Sequence, residues 1–252
     1  MTTTIKLVNP HIEYPSADGE PLAETYTHLY AILTTLEVIK QYLAGRQATV
    51  LANQFLYYAQ GFPKLRVAPD VMVIFDVPPG GRDSYKVWEE GQVPQVVFEM
   101  TSQGTQQQDQ EQKKNLYEQL GILEYWLFDP KGEWIPEKLR GYRLEGETYQ
   151  LIKDGICQPL ALRVIVEGEL LGFYRLDTGD KLLIPTELSA QLQQERQRAE
   201  QERQRAEQER QRAEQERQRA EQECQRAEQE RQRAERLAEY LRSQGIDPDS
   251  LS

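Results

Sequence analysis

The chain has 252 residues, with 41 Asp/Glu against 30 Lys/Arg and a formal net charge of -11, which argues against a protein that coats nucleic acid or an anionic membrane through a general basic field. Glu195 to Arg236 hold 12 Glu and 12 Arg, so the acid surplus belongs to the rest of the chain. Cys157 and Cys224, without a CxxC or a neighbouring His pair, suggest neither a disulfide framework nor a zinc site. The sequence also offers no signal pattern over Met1 to Lys6 and no apolar run of roughly 18 to 20 residues, so secreted and membrane classes drop out and a reducing cytoplasm is the expected compartment.

From the N-terminus, Pro21 as a helix start, the apolar series Leu22, Tyr26, Leu29, Leu33, Leu36 and Leu43, and Gly45 as terminator predict a long amphipathic helix. Strand-like runs follow at Thr49 to Tyr58, Val67 to Val77 and Gln95 to Thr101. A helix over about Gln107 to Leu120, closed by Gly121, then leads into a strand at Leu123 to Phe128. Beyond Pro130, the runs Leu139 to Arg143, Thr148 to Ile152, Leu162 to Val166 and Leu170 to Leu176 are separated by glycine-containing turns, which predicts antiparallel hairpins that extend the sheet. The first 185 residues thus read as one α/β (α+β) domain.

The heptad Glu-Arg-Gln-Arg-Ala-Glu-Gln then repeats, with Ala199, Ala206, Ala213, Ala220, Ala227 and Ala234 marking its period. Its residues are strong helix formers, and Glu195 to Arg198 and Arg196 to Glu200 fall at pairing distance. A helix over 186–243 follows, roughly 85 Å long at 1.5 Å per residue, with 244–252 as a terminal tail. One Ala per heptad is a weak seam, so a solitary charged helix and an Ala-seamed coiled coil both remain open. Leu237, Tyr240 and Leu241 form a small apolar stripe before Gly245 and Pro248 stop the helix.

Asp70 lies in the apolar run Val67-Ala-Pro-Asp-Val-Met-Val-Ile-Phe and Glu99 in Val96-Val-Phe-Glu-Met, where a buried carboxylate calls for a partner or a metal. Strand alternation puts Thr101 on the face of Glu99. Two acids on neighbouring strands make an oxygen-rich site suited to Mg²⁺ or Mn²⁺, although strand-end acids bonding Arg66 or Arg82 would look the same. On the following helix Asp109, Lys113 and Tyr117 fall at i, i+4 and i+8. Lys113 also begins the stripe Leu116, Tyr117, Leu120 and so faces the sheet, while Lys114 turns about 100° away as a surface lysine. Two acids and one inward lysine are the minimum for metal-assisted phosphodiester hydrolysis. Pro79-Gly-Gly-Arg82 lacks the spacing of a P-loop and reads as a turn. Trp88, Trp126 and Trp134 read as packing residues, and Arg82 and Lys86 as surface charge that could meet phosphate.

Pro69-Asp70, Glu99, Asp109-x3-Lys113-x3-Tyr117 and Gly121-Ile-Leu-Glu-Tyr-Trp-Leu-Phe-Asp-Pro130 together resemble the bacterial putative restriction-endonuclease family of the PD-(D/E)xK nuclease superfamily. The likeness extends through Ala23-Glu24-x3-His28, Tyr57-Tyr58 and Gly141-Tyr142, over about residues 10 to 185. It implies a restriction-endonuclease-like αβββαβ core and Mg²⁺- or Mn²⁺-dependent cleavage of DNA. Asp70, Glu99 and Lys113 would be the catalytic set, Asp70 and Glu99 metal ligands, and the Met100 backbone carbonyl a further ligand; Glu24 would be another, or else a helix-capping or solvated surface acid. His28, one turn beyond Glu24, is read as structural. One departure stands out: Thr101 occupies the place of the superfamily's usual lysine, and Lys113 on the helix takes that part. The competing reading is a nuclease fold without catalysis that assembles through its tail, and a homo-oligomer through either part is the expected partner besides DNA.

Overall fold

The computed structural model describes residues 12–17, 19, 25–102, 104 and 108–245. The chain forms two compact units, Met1–Leu188 and Ser189–Ser252.

In chain order the elements are α1 (Tyr26–Tyr42), β1 (Ala48–Leu51), β2 (Leu56–Tyr57), β3 (Arg66–Val67), β4 (Val71–Phe75), β5 (Tyr85–Lys86), α2 (Val87–Glu90) and β6 (Val96–Met100). A π-helical turn (Gln108–Lys113) runs directly into α3 (Lys114–Gln119), followed by β7 (Glu124–Phe128), β8 (Leu139–Glu145), β9 (Thr148–Ile152), β10 (Ile156–Cys157), β11 (Leu162–Glu167), β12 (Leu170–Arg175), β13 (Lys181–Leu182) and α4 (Pro185–Ser243). The central sheet has the order β1-β4-β6-β7-β8-β9. Within it β6 and β7 run parallel, joined by the helical crossover, and the other pairs are antiparallel. The predicted order of helix, three strands, helix and strand is therefore present as α1, β1, β4, β6, α3 and β7.

Strand alternation divides the core in two. Val71, Val73, Phe98, Met100, Trp126 and Phe128 point to the face covered by α1 and by a second sheet, β10-β11-β12-β13. Met72, Ile74, Val97, Tyr125 and Leu127 point to the face covered by α3 and by a small sheet, β3-β2-β5. Both faces are thus roofed, which explains why the central strands read as continuous apolar runs.

Three readings of the sequence need correction. The run Thr49 to Tyr58 and the run Val67 to Val77 are each two strands in different sheets, because Pro69 cannot donate to a ladder and Asn53 adopts a positive φ of 54° in the link between β1 and β2. The hairpins after Pro130 do not all extend the central sheet: β8 and β9 do, whereas β10 to β13 make their own. On α1 the expected apolar face is buried only in part: Leu36 and Leu43 pack on the core. Tyr26, Leu29 and Leu33 are exposed, while His28, Ala31, Ile32, Thr35, Val38 and Ile39 pack inward. The helix carries two apolar stripes, and the one with shorter and β-branched side chains lies on the sheet.

Among the described residues unit two is formed by α4, none of whose residues is buried. Its surface is tied together within the helix, as in Gln204 to Glu200 at 3.2 Å and Gln211 to Glu207 at 3.2 Å. Among the described residues no helix is long and apolar enough to cross a membrane.

Candidate active site

Asp70 sits in the bend just before β4, not within the strand. The register Val71 with Phe98 and Met72 with Val97 places Asp70 across from Glu99. The Asp70 carboxylate substitutes for a ladder partner: its Oδ2 accepts from the Met100 backbone N–H at 2.6 Å, while the Asp70 N–H donates to Glu99 Oε2 at 3.4 Å. Met100, expected to offer a carbonyl to a metal, thus holds Asp70 in place through its N–H. His28 approaches from α1, with Nε2 3.7 Å from Asp70 Oδ2.

Glu99 projects from β6 on the α3 side and is fully buried. Lys113 Nζ donates to its Oε2 at 2.8 Å, and Tyr117 Oη donates to its Oε1 at 2.5 Å. Lys113 Nζ also lies 2.9 Å from Asp109 Oδ1, a pairing by charge that lacks hydrogen-bond direction. Thr101 Oγ1 holds the other Asp109 oxygen at 3.2 Å, and Tyr125 Oη donates to the Asp109 carbonyl at 2.9 Å. The π-helical turn carries both Asp109 and Lys113, and such turns recur at functional sites.

The electrostatics follow from three carboxylates facing one ammonium in a buried place. Burial pushes the Glu99 carboxyl up, opposed by Lys113 and reinforced by Asp70 and Asp109, to about 8. Burial alone would lower the Lys113 ammonium, but the charges of Glu99, Asp109 and Asp70 outweigh it and raise it. Burial raises Tyr117 well above the ordinary phenol, with Glu99 adding to it, so Tyr117 stays a neutral donor. The cluster, with three carboxylates to one ammonium, is short of positive charge.

The oxygen-only donor set and the missing charge fit a hard divalent cation. Asp70 Oδ1 makes no hydrogen bond among the described residues, so it is open to one. In the arrangement seen, both Glu99 oxygens are engaged, and no group of three or more ligating side chains stands ready for a metal among the described residues. Glu24 lies outside them.

Of the other sequence candidates, Lys114 is half-buried with Nζ 4.9 Å over the Tyr142 ring, rather than freely solvated. Arg82 is committed to Glu90 at 2.7 Å and to the carbonyls of Pro78 and Gly80, so it staples its own loop. Lys86 pairs with Glu89 at 3.1 Å. Trp126 packs on Phe98 and donates to the buried Glu124, whose other oxygen takes Arg143 at 2.8 Å. Asp109, Tyr117 and Tyr125 are the site neighbours that the sequence reading left out of its catalytic set; the first two stood in its helical stripe.

A family model described as "Uma2: Putative restriction endonuclease" matches residues 6–173, two thirds of the chain. The chain belongs to the Uma2 family. Asp70, Glu99, Lys113 and the whole central sheet fall inside the matched span, and the Uma2 match stops before α4. A solved structure titled as a putative nuclease belonging to DUF820 from Anabaena variabilis is similar at 15% identity, over 56% of this chain and 77% of that one, with a TM-score of 0.40. No curated protein matches the chain. Family membership places this Uma2 protein among nuclease-like proteins.

Proposed function

We propose that the protein is a metal-dependent endodeoxyribonuclease whose site is Asp70, Glu99 and Lys113. The observation that carries this reading is the Lys113 ammonium, buried between Glu99 and Asp109 at 2.8 and 2.9 Å beside Asp70, a costly arrangement that packing alone does not require. Asp70 and Glu99 would hold Mg²⁺ or Mn²⁺, with Glu24 and the Met100 carbonyl as further candidate ligands. When bound, such a cation would polarise the phosphate and lower the pKa of the attacking water. Lys113, held beside Glu99 and Asp109, would stabilise charge on the phosphate or orient the water. Tyr117 keeps Glu99 aimed, and Thr101 keeps Asp109 aimed at Lys113.

The test is nicking of supercoiled DNA in Mg²⁺ or Mn²⁺. Asp70→Ala and Glu99→Ala should lose metal binding and cleavage together. Lys113→Ala should keep metal binding and lose turnover by about 10²-fold or more, with Lys114→Ala close to wild type. Full activity in Asp70→Ala would sink the site.

The noncatalytic reading, an interaction protein assembling through its tail, draws support from one observation: Lys113 and Tyr117 already occupy both Glu99 oxygens. A wild-type protein that binds neither Mg²⁺ nor Mn²⁺ and forms tail-dependent oligomers would favour it.

A further inference from the structure

An acidic protein that handles a polyanion needs local cations that its own acids have not neutralised. Several described bases of the folded unit are spent: Lys40 on Glu37, Arg82 on Glu90, Lys86 on Glu89, Arg140 on Glu137, Arg143 on Glu124 and Arg175 on Asp177. The short stretch that leads into Asp70 carries two bases that are not spent in this way. Lys64 is exposed and Arg66 half-buried, and among the described residues neither has a carboxylate partner.

Arg66 is held for a purpose other than charge pairing. The register of the small sheet aligns Arg66 with Tyr57 and Tyr57 with Lys86 in one row, while Leu56, Val67 and Tyr85 pack into the core. The guanidinium carbon lies 4.0 Å over the Phe55 ring, and one nitrogen donates to Tyr57 Oη at 3.1 Å. Tyr57 is itself locked by an edge contact with Tyr14 at 5.1 Å and by a hydrogen bond from its hydroxyl to the Pro15 carbonyl. The remaining guanidinium N–H groups make no hydrogen bond among the described residues. A stacked, pre-oriented arginine with free donors is the arrangement that binds phosphate in two-pronged fashion at little entropic cost.

Its position fits the chemistry. Arg66 lies four positions before Asp70, so their Cα atoms are at most about 14 Å apart. Phosphates of one strand advance about 3.4 Å each along a duplex axis. A strand cut beside Asp70 therefore has phosphates within reach of Arg66 and Lys64 only a few nucleotides away.

We infer that Arg66 and Lys64, on the strand and turn leading to Asp70, form the contact that holds phosphates of the nucleic-acid strand cleaved at the Asp70–Glu99 site. This rests on the nuclease reading above. The experiment measures binding of the full chain to a fluorescein-labelled DNA duplex of about 20 base pairs in Ca²⁺, by anisotropy, across a salt series, for wild type, Arg66→Gln and Lys64→Gln. Removing one phosphate contact should lower the slope of log affinity against log salt by about 0.9 and weaken binding about eightfold at 0.1 M salt. Each variant should show that loss. Lys64 is exposed, so its replacement leaves the fold untouched and keeps the test sound if Arg66→Gln unfolds. Weaker binding with an unchanged slope would mean that Arg66 only packs rings, and would overturn the inference. Unchanged affinity in both variants, alongside Asp70-dependent cleavage by wild type, would overturn it and leave the nuclease reading standing. A wild type that neither binds nor cuts DNA would overturn both.

Discussion

Tyr117 Oη and Lys113 Nζ grip opposite oxygens of Glu99, at 2.5 and 2.8 Å, so this buried acid is held from both sides by a single stretch of helix. The phenol supplies direction without charge, and the ammonium supplies charge.

Tyr117→Phe removes the neutral donor and keeps the ring. Leaving a buried carboxylate oxygen without its partner should cost about 1–3 kcal/mol of stability and push Glu99 further up. The acid limb of the pH–rate profile should move to higher pH, with turnover below it falling on the order of tenfold per pH unit of that movement. An unmoved limb would show that Tyr117 only packs.

On the metal-dependent reading proposed above, Glu99 would make stability and metal binding depend on pH in opposite senses. Burial, with Asp70 and Asp109 reinforcing it against Lys113, raises this carboxyl from 4.5 to about 8, so the native state binds its proton more tightly than the unfolded chain does. The stabilisation is complete below about pH 4.5 and is lost as pH rises through about 8. In EDTA, thermal midpoints should fall between about pH 5 and about pH 9, and Glu99→Gln should flatten that fall. A cation must displace the proton, so Mg²⁺ affinity should rise by up to about tenfold per pH unit below about 8, with proton release seen by calorimetry in buffers of different ionisation enthalpy.

How much of this was legible follows from what each signal contains. Asp70 and Glu99 stood out because an acid inside an apolar strand is costly, and Lys113 because it shared a helical stripe with Leu116 and Tyr117. Tyr117 and Tyr125 carried no such signal, since an aromatic side chain on a buried face looks the same whether or not its hydroxyl is used. The approach of His28 was obscured because α1 has two apolar stripes and periodicity cannot choose between them. Residues 162–175 declared themselves as strands, but which sheet they would join depends on Phe173 meeting Phe98 edge to face at 5.7 Å, a partner far away in sequence.

Gly141 lies opposite Trp126 in the β7–β8 pair, and a Cβ there would meet the indole at 2.7 Å. Gly141→Ala should destabilise by about 1–3 kcal/mol, since Trp126 is also fixed by Glu124 at 3.0 Å. Chemical denaturation reads this directly, and a neutral result would mean that the strand yields.

A chain ending at Leu188 should keep the thermal midpoint and the metal affinity of the whole protein. The second unit begins at Ser189 and no residue of α4 is buried, while Glu187, which takes Lys181 at 2.6 Å, is retained. Loss of cooperative unfolding in that chain would show that the first unit depends on the second.

The heptads of α4 also behave as a ruler. Each repeat lengthens an α-helix by about 10.5 Å and turns its surface by only about 20°. Duplication or loss of one repeat would therefore shift Leu237 and Tyr240 along the axis of this helix in fixed increments while hardly rotating them about it. Reach and orientation are separable along this helix: reach is counted in repeats, and orientation is set by the residues that follow the last one.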